Sequence, residues 1–128
     1  ATSSPQSVIS QARELGLEVG LAINPETDVP AFLPLVDEAD SVLFLTVHPG
    51  FYGSKFIPEV LDKVIELRQS RPSVAIGADG GIKESNIIQI AHKGADEFCV
   101  GSAIFSQPKP DERYYHFMAL IKEVSSPD

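Results

Sequence analysis

Four short apolar runs, at 17–23, 41–47, 73–78 and 97–102, begin at intervals of roughly 24 to 32 residues, with helical patterns filling the gaps. That interval is about one strand–helix unit, and it constrains the fold more tightly than anything else in the chain. The runs are apolar on consecutive rather than alternate positions, which predicts parallel strands covered on both faces. Between them, Ser4-Pro5 reads as an N-cap and first-turn proline, Val8, Ile9, Ala12 and Leu15 recur at helical spacing, and Gly16 closes that helix. Ile57, Val60, Leu61, Val64 and Leu67 form a second stripe that stops before Pro72, and Ile87, Ile90 and Ala91 a third that stops at Gly94. Pro30 and Pro34 keep any helix between 28 and 40 short, and a last helix spans about 111–124.

The predicted order is a helix followed by four strand–helix pairs. Neither a Gly-x-Gly-x-x-Gly nor a Walker A sequence follows the first strand, which argues against a dinucleotide or nucleotide-triphosphate fold. A small open sheet and part of a (β/α)8 barrel remain. A whole barrel takes ~250 residues and rarely fewer than ~200, so 128 residues supply about half of one.

Composition narrows the function. The chain carries 10 Lys and Arg against 18 Asp and Glu, a net charge of −8, which disfavours a nucleic acid partner but leaves room for a small anion held locally. No apolar run approaches the ~18 residues of a membrane span, and the first residues lack the pattern of a secretion signal. One cysteine, Cys99, rules out an internal disulfide framework and a cysteine-rich zinc site. The expectation is a single cytoplasmic domain over 1–128, without nucleic acid or membrane partners. Ala1 in place of a methionine suggests a start inside a longer chain.

In a parallel βα repeat, chemistry lies at the C-terminal ends of the strands. Here those ends read Ala22-Ile23-Asn24-Pro25, Thr46-Val47-His48-Pro49-Gly50-Phe51-Tyr52-Gly53, Ala78-Asp79-Gly80-Gly81-Ile82 and Val100-Gly101-Ser102-Ala103-Ile104-Phe105. Glycines there let a ligand approach the backbone, and N–H groups at the start of the following helix point at it. Gly80-Gly81 and Gly101-Ser102 match the phosphate site that barrels build after strands seven and eight, which numbers these strands five to eight. Glycines making ordinary tight turns are the plainer alternative for any one of them.

Taken in order and spacing, Gly20-Leu21-Ala22-Ile23-Asn24-Pro25, Thr46-Val47-His48-Pro49-Gly50-Phe51, Asp79-Gly80-Gly81-Ile82 and Gly101-Ser102-Ala103-Ile104-Phe105 resemble the second half of the ribulose-phosphate 3-epimerase family, over about residues 1–105. The resemblance implies an isomerase of the pentose phosphate pathway that interconverts ribulose 5-phosphate and xylulose 5-phosphate through an enediolate. It implies that Asp79 is both a metal ligand and one of two acid/base carboxylates. Gly80, Gly81, Gly101 and Ser102 correspond to phosphate donors, Gly50 and Gly53 to a loop that closes over the substrate, and His48 to a position able to touch it. One divalent ion (Zn, Fe, Mn or Co) is implied for the complete enzyme. Its two histidines and second aspartate, and the other acid/base carboxylate, belong to the half not present here, so the isolated chain is expected to be inactive. Tyr52 stands for a usual glycine, Ser54 for a glutamine and Leu45 for a methionine that caps the substrate. An epimerase of another ketose phosphate and a non-catalytic phosphate-binding half-barrel are the alternatives.

Other residues read more plainly. His48 is equally compatible with capping a turn, and Asp79 with a turn or helix cap. His92 and His116 read as surface residues, Cys99 as a buried small hydrophobe, and Tyr114, Phe117, Met118 and Ile121 as core contacts of the last helix. Open strand edges and an apolar inner face predict a homo-oligomer or pairing with a complementary half-barrel.

Overall fold

The computed structural model describes residues 5–48, 55–100 and 108–125. Its elements are α1 (Pro5–Glu14), β1 (Gly20–Ile23), α2 (Val29–Val36), β2 (Ser41–Leu45), α3 (Val60–Ser70), β3 (Ala75–Asp79), α4 (Ile87–His92), β4 (Glu97–Cys99) and α5 (Pro110–Ser125). The strands pair in parallel in the order β1-β2-β3-β4, which is also their order in the chain. A strand order that never reverses, combined with crossovers of one hand, lays every connecting helix on the same face. A doubly wound sheet would need a reversal.

The register fixes which side chains meet those helices. Leu21, Val42 and Ile76 form one row, and Ile23, Phe44, Ala78 and Phe98 the next. They pack with Val29, Phe32 and Val36 of α2, Val60, Leu61, Val64 and Leu67 of α3, Ile87 and Ile90 of α4, and Phe117 of α5. Burying a Leu or Val side chain here contributes about 1.5–3 kcal/mol. Phe32 meets Phe44 edge to face, with ring centroids 6.0 Å apart.

The opposite face differs from the expectation of two covered faces. Among the described residues no helix lies over it, and its rows are Gly20, Ser41 and Ala75, then Ala22, Leu43, Gly77 and Glu97, then Leu45, Asp79 and Cys99. Leu43 lies across Gly77, where an added Cβ would come within 2.9 Å of Leu43 Cδ1. The continuous apolar runs reflect a face shaped to be enclosed by something other than these helices.

This arrangement corrects two expectations. Cys99 is exposed, because its register places it on the open face beside Asp79. Tyr114 and Met118 are also exposed; with Phe98, Val100, Phe117 and Ile121 they line a cleft between β4 and α5. Phe117 is buried as expected. His92 is exposed, whereas His116 is half-buried and meets Glu84 at 2.7 Å.

Three side chains tie the layers together. The Arg68 guanidinium donates to the carbonyls of Gly94, Pro72 and Val74 and pairs with Asp96 at 2.6 Å. Arg71 makes a two-pronged pair with Asp37, at 2.7 and 3.0 Å, that holds the Asp37 carboxyl below its ordinary pKa. Lys63 donates to the carbonyls of Pro25 and Thr27, fastening the β1–α2 loop to α3.

Candidate active site

The C-terminal ends of β1, β2 and β3 form one rim. Asp79 is the last residue of β3, half-buried, on the open face beside Leu45 and Cys99. Its carboxylate makes no hydrogen bond or ion pair with any described residue. A capping aspartate would instead accept from the amides just after it. The helix that follows starts five residues beyond Ile82 and takes Asn86, not Asp79, at its N-cap position. Asp79 therefore does no capping here, and its carboxylate is presented to the open face.

The loop after Asp79 is held from behind. Gly80 and Gly81 have φ of 124° and 67°, the left-handed region that glycine enters at little cost. A Cβ on Gly80 would lie 2.5 Å from Val47 Cγ2, and one on Gly81 would lie 3.0 Å from Phe56 Cβ. Thr46 is the one fully buried polar residue of the described core. Its N–H donates to Asp79 O at 2.9 Å, its hydroxyl donates to Gly80 O at 2.6 Å, and its own carbonyl accepts from Ile57 N–H at 2.7 Å. Asn86 Nδ2 donates to Gly81 O at 2.9 Å while its Oδ1 accepts from Lys83 N–H at 2.8 Å. Carbonyl and N–H point in opposite directions across a trans peptide. Fixing the Gly80 and Gly81 carbonyls therefore turns the N–H groups of Gly81 and Ile82 the other way, and neither donates to a described residue. These amides belong to a turn and not, as the sequence suggests, to a helix start.

His48 stands exposed at the same rim, its Nδ1 2.7 Å from Glu26 Oε1, so that the β1 and β2 loops are joined across the strand ends. Sequence reasoning missed Glu26, Thr46, Asn86 and Lys63. Of these, Thr46 carried a signal, a lone hydroxyl at the end of an apolar run. Gly50, Gly53, Gly101 and Ser102, with Tyr52 and Ser54, lie outside the described residues.

Among the described residues no three His, Cys, Asp or Glu side chains gather as a metal site. Burial and then the charges of Asp79 and Glu97 push the Cys99 thiol above its ordinary pKa, so that thiol is a poor nucleophile at neutral pH. No described helix is long and apolar enough to cross a membrane.

Comparison with known proteins agrees with this layout. The chain is 36% identical to a ribulose-phosphate 3-epimerase of Buchnera aphidicola, over 98% of this chain and 57% of that protein. It is 39% identical to one of Schizosaccharomyces pombe, over 88% of this chain and 49% of that protein. It thus spans about half the length of these curated relatives. In structure it is similar to a 3-hexulose-6-phosphate synthase of Salmonella typhimurium, with a TM-score of 0.69 at 27% identity, covering 93% of this chain and 56% of that one. The four consecutive βα units are about half of a (β/α)8 barrel. The profile of the ribulose-phosphate 3-epimerase family matches residues 1–105, the stretch that holds all four strand ends, and the chain belongs to that family.

Proposed function

We propose that residues 1–128 are a single unit, the C-terminal half of a cytoplasmic ribulose-phosphate 3-epimerase, supplying one face of its site for the interconversion of ribulose 5-phosphate and xylulose 5-phosphate. The observation that carries the reading is Asp79, a carboxylate at a strand end that faces the open side of the sheet and is engaged by no described neighbour. Epimerisation breaks a C–H bond next to the ketone, leaves the electron pair on the resulting enediolate, and returns a proton to the opposite face. Asp79 accepts or delivers the proton on one face, and a carboxylate from the first half of the barrel serves the other. The amides of Gly81 and Ile82, with Gly101 and Ser102, hold the phosphate by local donors that outweigh a screened net charge of −8. Gly50 and Gly53 belong to a loop that covers the substrate, and His48 touches its rim.

A divalent ion fits this chain only in part. Asp79 offers one hard oxygen ligand, and the remaining ligands would come from the first half. Such an ion, when bound, supplies positive charge where the ketone oxygen becomes negative. The open face is covered by that complementary half or, in the isolated chain, by a second copy.

The test is Asp79→Asn in this chain completed by the first half of a family barrel. Loss of acid/base action is worth ~10²–10⁴-fold in turnover. Turnover is expected to fall by at least that much while phosphate binding persists. Asparagine caps turns about as well as aspartate, so near wild-type epimerisation would remove Asp79 from the reaction.

A further inference from the structure

We infer that Thr46 and Asn86 are positioning residues that preorganise the anion-binding amides of Gly81 and Ile82, an inference that rests on the phosphate reading above. An anion receptor built from peptide N–H groups works only if their directions are set before the ligand arrives, because ordering a loop on binding subtracts from affinity. Glycine is the residue least able to set its own direction. Here two glycines in succession carry the receptor, so the order has to come from elsewhere.

It comes from two side chains on opposite flanks. Thr46, fully buried on the β2 side, fixes the Asp79 carbonyl through its backbone and the Gly80 carbonyl through its hydroxyl, at 2.9 and 2.6 Å. Asn86, ahead of α4, fixes the Gly81 carbonyl at 2.9 Å and is itself braced by Lys83 N–H. Three consecutive carbonyls are thus held, and the peptide planes between them cannot rotate without breaking a bond to a buried or half-buried donor. The same Thr46 anchors the carbonyl of Asp79, so one residue sets the backbone of both the carboxylate and the phosphate loop.

The experiment compares wild type, Thr46→Val, Thr46→Ser and Asn86→Ala as the 128-residue chain. Backbone amide spectra are recorded with and without inorganic phosphate, and urea melts report the folded fraction. Thr46→Val removes the hydroxyl at nearly constant volume. It is expected to loosen Gly80, Gly81 and Ile82, seen as lowered order parameters there and unchanged ones in α3, and to weaken phosphate binding about tenfold (~1.4 kcal/mol). Thr46→Ser, which restores a hydroxyl, is expected to regain most of the affinity, a rescue that a purely packing role would not produce. Asn86→Ala is more exposed and tests the opposite flank should Thr46→Val unfold. Equal phosphate affinity in wild type and a folded variant, with the loop equally ordered, would overturn the positioning role alone. Failure of wild type to bind phosphate at Gly81 and Ile82 would overturn both this role and the anion site.

Discussion

Removal of the Arg68 guanidinium should cost this chain more stability than any other single surface substitution. Arg68 sits on α3 with its side chain 23% exposed, and its fork reaches four acceptors within 3.2 Å on two turns: the carbonyls of Pro72 and Val74 after α3, and the Gly94 carbonyl and Asp96 carboxylate after α4. Asp96 in turn accepts from Ile76 N–H at 3.1 Å, so the chain of contacts ends on a central strand. In Arg68→Met the alkyl stem is kept and every bond is lost. Two of the stranded carbonyls, Val74 and Gly94, are partly buried, and a buried group left unsatisfied costs ~1–3 kcal/mol, at the lower end where water can enter. The exposed ion pair with Asp96 adds at most ~1 kcal/mol. The expected loss is about 3 kcal/mol, or roughly 10 °C in Tm for a domain of this size. Urea unfolding followed by circular dichroism, with the slope held common to both proteins, measures it. Arg68→Lys should recover little, since an ammonium cannot reach four acceptors in a plane. A loss below ~0.5 kcal/mol in Arg68→Met would refute the view that this fork fastens α3, the α3–β3 turn and the α4–β4 turn to one another.

Glu84 accepts from His116 at 2.7 Å and Arg113 at 3.0 Å, and these bonds lower its pKa from the ordinary 4.5, His116 contributing most. A lowered native pKa stabilises above the unfolded value, and the gain vanishes as pH falls through the native one. The docking of α5 on the β3–α4 loop should therefore weaken in acid below about pH 4.5, and Glu84→Gln should remove that pH dependence from urea melts recorded between pH 3 and 7. Cys99, exposed yet with its pKa raised above the ordinary 9.0, should react with iodoacetamide in the native chain, but more slowly at neutral pH than a cysteine in the unfolded chain. Asp79→Asn should speed that reaction, and protection until unfolding would show that the thiol is not on an open face.

The strand–helix order was legible because it depends only on the alternation of apolar runs with helical stripes, and a parallel order needs little more. Strand boundaries were less so. The run at 17–23 looks like a seven-residue strand, yet Leu17 is exposed and pairing begins at Gly20, because an apolar letter does not say whether a partner strand reaches that far. Cys99 was misread because a continuous apolar run cannot tell a face buried by the chain's own helices from one shaped for something else, and Met118 because helical spacing marks one side of α5 without saying how far the cleft against β4 closes over it. Asp79 was found from its motif, but its disengagement from the turn is a property of geometry. Thr46 and Asn86 act through carbonyls more than thirty and five residues away in opposite directions along the chain, and no local pattern encodes that convergence.

The open face also specifies its complement as a mould specifies a cast. One end row is nearly without side chains, with Gly20, Ser41 and Ala75, so whatever closes over it must bring bulk there. The next row presents Leu43 filling the gap over Gly77, with Glu97 at the edge. An enclosed carboxylate must meet a donor or a cation, or give up its charge. A second half, natural or designed, that offers only aliphatic side chains opposite Glu97 would close the barrel in shape and fail it in charge. An arginine or a hydrogen-bonding serine at that place would turn the same carboxylate into a register mark between the two halves.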